Sequence, residues 1–288
     1  GAIVEVNAGP GLLMHLKPAI GVPRPVGQAI VSHLFEPQQP TRIPVVGIMG
    51  RTRTTDLAHL VNWLIHLSGR RTGLASARGL YMNQRLVDAK DARVFEASQR
   101  LLINRALDAA VFENTPLQVL DEGLPYDRCL VGVLTDMPDH TGLQDHDVQT
   151  PEQVRQVVRT QIDLVLPEGV AVLNAEDSAL VDMAHLCDGE VIYHAHDANH
   201  PTIVSHLAQQ GRAVVRQQNQ VLLIHGSHSQ ALLDLDFPAI AKQLNDGVIH
   251  PDNLLAAVAV AWALSLSPDL IRAGLKNYGQ PAAMANVD

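Results

Sequence analysis

Sulfur, aromatic surface and charge are all sparse in this chain. Two cysteines, Cys129 and Cys187, occur in 288 residues. They are too few and too far apart for a disulfide framework or a cysteine-rich zinc site, and they point to a reducing, cytoplasmic setting. No apolar run approaches the ~18 residues needed to cross a bilayer, so no membrane role is expected. The first residues lack the basic and apolar regions of a signal peptide. There is no basic block and the net charge is −9, which argues against nucleic acid as a partner. Low-complexity tracts and internal repeats are missing too. What is present is apolar: 47% of residues are hydrophobic against 18% charged, in a length that suffices for one large or two moderate domains with a filled core.

The organisation changes twice along the chain. Residues 2–6 form a β-rich run ending in Glu5-Val6-Asn7, broken at once by Gly9-Pro10-Gly11. Five prolines follow between Lys17 and Arg42, with one helix-length stretch at 26–34. Residues 1–41 therefore read as the end of an upstream domain and a linker, part of something larger. From 42 to 234 short apolar runs alternate with helical patterns. Strands are expected at 45–49, 109–112, 130–134, 170–173, 190–193, 213–215 and 221–224. Helices are expected after Thr54-Thr55-Asp56, where Leu57, Leu60, Val61, Leu64 and Ile65 share a face, and at 152–164, 178–186 and 201–208. This rhythm predicts a doubly wound, mostly parallel α/β sheet. Residues 235–288 are purely helical, with helices at 253–266 and 268–275, and read as a short third module.

A nucleotide would sit on the first strand-turn-helix. A phosphate loop needs glycines at both ends of a turn of N–H groups, a lysine, and a Ser/Thr for Mg²⁺. Here the turn is Gly50-Arg51-Thr52-Arg53-Thr54-Thr55, with one glycine, the threonine pair and no lysine. On residues alone it is an ordinary strand-to-helix connection with Thr54 or Thr55 as N-cap. His194-x-His196-x3-His200 invites a zinc or nickel reading. No carboxylate or cysteine spacing completes a tetrahedral set, so surface or edge-strand histidines are expected. His225-x-x-His228 lies on a Gly/Ser turn and is read likewise. Trp63 and Trp262, on apolar helix faces, read as core.

Seven stretches in order, IVEVNAGPGLLMHLKP, GVPRPVG, RIPVVGIMG, FENTPLQVLDEGLPYDRCLVGVL, PDHTGLQD, AVLNAEDS and SPDLIRAGL, resemble the C-terminal part of bacterial cyanophycin synthetases. Those enzymes join an ATP-grasp module to a Mur-ligase-like module and build polyaspartate bearing arginine branches. The resemblance implies a Mur-ligase central-domain fold for 42–234. It places Mg²⁺ of an ATP-grasp site on Glu5 and Asn7. In the Mur-like module it places nucleotide on Gly50, Arg53, Thr54, Thr55, Asn174 and Asp177, and Mg²⁺ on Glu113 and His140.

Departures from the family pattern cluster at the phosphates. Arg53 stands where the lysine belongs, and the loop is one residue short and lacks the second glycine, which tolerates positive φ. Pro116-Leu117-Gln118 replaces Arg-Gly-Gly. Thr135 replaces an asparagine, while the Asp139-His140 pair is kept. The helices after 235 read as the start of a lid domain. The resemblance is therefore closest to the variant class that polymerises β-aspartyl-arginine dipeptides at the ATP-grasp site with ATP and Mg²⁺. The Mur-like module is then inactive and structural, its catalytic residues unassigned, in a homo-oligomer that handles an acidic dipeptide or polymer. Two alternatives stand beside it: an active arginine-adding Mur-type ligase with Arg53 in place of lysine, and a pure oligomerisation module.

Overall fold

The computed structural model describes residue 9 and residues 11–34 and 42–279. Glu5, Asn7 and the expected strand at 2–6 lie outside the described residues. The chain divides into two compact units, Gly1–Ile43 and Pro44–Asp288. In the first, α1 (Leu13–Leu16) and α2 (Val26–Leu34) bury no residue. The Arg24 N–H donates to His15 O at 2.8 Å.

The second unit begins with β1 (Val45–Met49), α3 (Thr54–Leu67), β2 (Thr72–Ser76), β3 (Gly79–Met82), β4 (Arg85–Asp88), α4 (Phe95–Leu102), β5 (Ala109–Glu113), α5 (Pro116–Asp121) and β6 (Cys129–Leu134). It continues with α6 (Pro151–Val158), α7 (Thr160–Asp163), β7 (Val165–Asn174), α8 (Ser178–Val181), β8 (Glu190–Ala195), α9 (Pro201–Ala208), β9 (Arg212–Gln217), β10 (Gln220–His225), β11 (His228–Asp234), α10 (Pro238–Asn245), α11 (Pro251–Ala263) and α12 (Pro268–Asn277). One sheet takes all the strands, in the order β11-β10-β9-β8-β7-β6-β1-β5-β2-β3-β4. The run from β9 to β2 is parallel, and the outer strands on both sides are antiparallel. β1 and β5 are buried along their whole length, as expected for central strands covered on both faces.

Successive residues of each strand feed opposite faces. Val46 and Ile48 join α3 and α11 in one core layer. Met49, Leu134 and Leu173 join α6, α7, α8 and α9 in the other. A three-layer, doubly wound α/β fold results, and the expectation of a mostly parallel sheet holds.

Besides the unexpected α4, α5, β11 and α10 and a helix expected at 178–186 that is α-helical only over Ser178–Val181, three differences bear on the architecture. β2 to β4 were not anticipated; β2 reads Thr-Gly-Leu-Ala-Ser with a single large apolar residue, and β3 and β4 are four residues each, with β4 exposed over Arg85–Val87. The helix expected at 152–164 is two helices, the first opened by a Thr150/Gln153 capping box with Pro151 at its start. The third difference lies after 234. Residues 253–261 of α11 are all buried and join the same core as α3 and the sheet. The described C-terminal helices therefore belong to the sheet's own compact unit, and 234 is not a boundary within it.

Candidate functional site at the C-terminal ends of the parallel strands

The chain leaves β1 for β2 on one side and later sets β6 on the other, so the strand order reverses at β1. Open α/β sheets bind ligands outside the C-terminal ends of strands at such a point. The loops found there are Gly50–Arg53 after β1, Asn114–Thr115 after β5, Thr135–Asp139 after β6 and Ala175–Asp177 after β7. All but one of the expected nucleotide and metal residues of this module fall on these loops, on the strand ends beside them or on the first turn of α3; His140 lies just beyond. A cavity of about 600 Å³ opens beside them, lined by Gly50, Arg51, Arg93, Thr115, Gln118 and Asp139 among others.

The Gly50–Arg53 turn is already holding an anion. Asp136, two residues past the end of β6, accepts from the Arg51 N–H at 2.9 Å and from the Thr52 N–H at 3.5 Å. It also accepts from the hydroxyls of Thr52 at 3.2 Å and Thr135 at 2.7 Å. The Arg51 Nε lies 3.7 Å from its other oxygen. Successive backbone N–H groups converging on one carboxylate form an anion nest. Gly50 makes the approach possible, because a Cβ there would overlap Thr135 Oγ1 and crowd Asp136 Oδ1. The positive φ expected to vanish with the missing glycine is present, at Arg53 (φ 58). An arginine in this region costs about 1 kcal/mol. Asn253 of α11 helps hold it, donating through Nδ2 to the Arg53 carbonyl at 3.1 Å. The nest thus keeps its shape and is filled from within.

Glu113 is equally engaged. It is 2% exposed, and one of its oxygens accepts both the Thr54 and Thr55 hydroxyls at 2.9 and 2.8 Å. The other accepts the Ala77 N–H at 2.8 Å, and Arg93 lies 3.7 Å away. The threonines therefore do not cap α3 as expected. Its N-cap is Arg53, with no side-chain cap bond. The Arg53 side chain is exposed and makes no hydrogen bond or ion pair among the described residues.

Asn174 and Asp177 tie the neighbouring loops together. Asn174 Nδ2 donates to the Thr135 carbonyl at 3.2 Å. Asp177 accepts the Met137 N–H at 2.9 Å and caps α8 through the Ala179 N–H. His140 is exposed. No group of three or more His, Cys, Asp or Glu that could hold a metal ion occurs among the described residues. As arranged, these residues do not fit Mg-ATP. A phosphate would have to displace Asp136, and a metal would have to break the threonine bonds to Glu113.

The histidine expectation needs correction at His194. β8 lies between β7 and β9, so His194 is on an interior strand and only 2% exposed. Burial lowers its pKa to about 4, with the nearby Asp252 opposing and His196 adding to the shift. A carboxylate does arrive, from the first turn of α11. Asp252 meets His196 Nε2 at 2.5 Å and His250 Nδ1 at 3.3 Å. Burial alone would raise the Asp252 carboxyl, but the His196 hydrogen bond and the neighbouring imidazoles hold it below its usual range. His225 and His228 face each other across an exposed β10–β11 turn. Trp63 and Trp262 are half-buried against the core, with Trp63 Nε1 donating to the Gly274 carbonyl at 2.9 Å. Asp136 and Asp252 were not anticipated. A lone carboxylate closing an apolar strand run opposite a glycine turn was the available signal for Asp136; nothing local marked Asp252.

The fold and this placement of loops define a Mur-ligase-type α/β domain with helices at its C-terminal end. The solved structure of UDP-N-acetylmuramoyl-L-alanyl-D-glutamate–2,6-diaminopimelate ligase superposes on 82% of this chain and 46% of its own, with a TM-score of 0.59 at 14% identity. A pseudomurein peptide ligase type C from Methanothermus fervidus matches over 85% of this chain and 51% of its own, with a TM-score of 0.52 at 16% identity. No family model matches. In sequence the chain is similar to the cyanophycin synthetase of Synechocystis sp., 31% identical over 282 residues, which cover 96% of this chain and 32% of that protein. That of Geminocystis herdmanii is 30% identical over 284 residues, or 98% and 32%. The chain spans about a third of the length of the curated relatives it matches. No described helix is long and apolar enough to cross a membrane.

Proposed function

We propose that the chain is part of a cytoplasmic, homo-oligomeric, ATP-dependent amide ligase of the cyanophycin-synthetase kind, in which this Mur-like module is structural and binds no nucleotide. The whole enzyme would make an arginine-bearing polyaspartate. In the variant form it would join preformed β-aspartyl-arginine dipeptides at an ATP-grasp site, where Glu5 and Asn7 supply hard oxygen ligands for Mg²⁺. The reading rests on one observation: Asp136 already takes the backbone donors of the Gly50–Arg53 turn.

Arg53→Ala in the full-length ligase tests this. The side chain is exposed and unpaired, so the substitution should leave ATP-dependent dipeptide polymerisation within about twofold of the parent. An active Mur-type site is the second reading, favoured by the convergence of Thr54, Thr55 and Glu113. In that case the arginine stands in for lysine against phosphate, and its loss should cost a hundredfold or more, on the order of 3 kcal/mol in barrier height.

A further inference from the structure

Three imidazoles and one carboxylate meet where the C-terminal end of β8 packs on the start of α11. Ile192, His194 and His196 alternate along β8 and just past it, and Ile192 lies in the core layer shared with α11. The two histidines therefore face that helix. Asp252, in the first turn of α11, sits 2.5 Å from His196 Nε2 and 3.3 Å from His250 Nδ1. Two further titratable groups border the cluster: the buried His194, and Glu176, which accepts the His196 N–H at 2.8 Å. The side chains of His196, His250 and Asp252 are 34%, 36% and 46% exposed, so protons from bulk water reach them.

The next residue along the helix touches the Gly50–Arg53 turn. Asn253 is 3% exposed, and its Nδ2 donates to the Arg53 carbonyl at 3.1 Å. That carbonyl also accepts the Leu57 N–H at 3.1 Å, in the first turn of α3. Arg53 holds a positive φ, a conformation that persists for such a residue only where its surroundings enforce it. Asn253 enforces it from the same helical turn that Asp252 pins to β8.

We propose that the His196–Asp252–His250 cluster is a pH-sensitive latch, tightening the Gly50–Arg53 turn when its imidazoles are charged and loosening it when they are neutral. Imidazole is the side chain that changes charge between about pH 5 and 8, and a hydrogen bond between two charged groups is stronger than one to a neutral ring. Asp252 is held below the usual carboxylate range by His196 and its neighbours and stays ionised across that window. Burial keeps His194 at about 4, so it stays neutral. Closure of the latch is therefore strongest at the acid end of the window and weakens as pH rises. The latch acts through the Arg53 carbonyl and does not depend on whether the turn binds nucleotide.

Amide hydrogen exchange at pH 6 and pH 8, expressed as protection factors, reads the latch. In the parent chain, protection of the Arg51, Thr52 and Leu57 amides should fall about fivefold from pH 6 to pH 8, while that of Val131 and Val133 in β6 does not fall. Asp252→Asn keeps the shape and removes the charge, so protection at the turn should be low at both pH values. Circular dichroism checks that the variant folds. If it does not, His196→Gln should show the reduced pH dependence instead. Three outcomes would overturn the proposal: a parent turn equally protected at the two pH values, an undiminished fall in the folded variant, or an equal fall in β6.

Discussion

At the C-terminal ends of β1 and β6 the chain's own carboxylate closes the donors of the Gly50–Arg53 turn, whereas at the start of β9 the Arg212 guanidinium keeps a buried Nε with no partner. Both regions present cationic or N–H donors: in the first the backbone donors are taken by Asp136, and in the second a buried Nε is left without a partner. A loop's shape is therefore not enough to infer a phosphate site: what already fills it decides. α11 spans both ends. Its first turn holds Arg53 through Asn253 and pairs Asp252 with His196, and its last turn sets Trp262 against Arg212.

Cutting that link should have the largest effect. Val258 is fully buried in the middle of α11, so Val258→Asp places an unpaired charge in the core. It should cost about 4 kcal/mol or prevent folding, abolishing both regions together. A stable, cooperative variant in urea unfolding would mean that α11 is not part of the sheet's core.

Acid should come next. His194 has a folded pKa of about 4 against about 6.5 when unfolded. Between those values the unfolded chain takes a proton that the folded chain refuses, so stability falls as pH drops through the window. The total loss is on the order of 3 kcal/mol, and none of it is felt above about pH 7. His59 is lowered to about 4 as well, by burial and by Arg78, and adds in the same direction. Denaturant titrations at about pH 7 and pH 4.5 should show a smaller drop for His194→Gln. An equal drop would remove His194 as the cause.

Gly50→Ala sharpens the comparison at the loop. The added methyl collides with Thr135 and Asp136, so about 2 kcal/mol of stability should be lost in urea unfolding; a variant as stable as the parent would mean that the turn does not need this close approach. The smallest expected change is from Asp136→Ala, about 1 kcal/mol. That variant should also gain pyrophosphate affinity, because it frees the Arg51 and Thr52 N–H groups. Calorimetry that detects no gain would mean the nest does not survive without its carboxylate.

Much of the fold was legible because central strands are apolar on both faces. Val45–Met49 and Cys129–Leu134 stand out as continuous runs, and the helix after Thr55 shows its buried face in Leu57, Leu60 and Leu64. The β2–β4 ribbon was not legible, since Thr72-Gly73-Leu74-Ala75-Ser76 is held by its neighbours more than by propensity. At the site, the loop, Glu113 and Asn174 were found from residue type and resemblance, but their partners were not. Asp136 contacts residues 84 and 85 positions away, and Asp252 reaches His196 across 56. Such pairings are products of the sheet order and leave no local spacing to read.

The most direct measurement is a calorimetric titration of the chain with Mg²⁺ and a non-hydrolysable ATP analogue, run beside Asp136→Ala. With Asp136 in the nest, the parent chain should show no saturable binding tighter than about 1 mM. A dissociation constant in the micromolar range for the parent chain, with triphosphate oxygens against the Arg51 and Thr52 amides, would contradict the account.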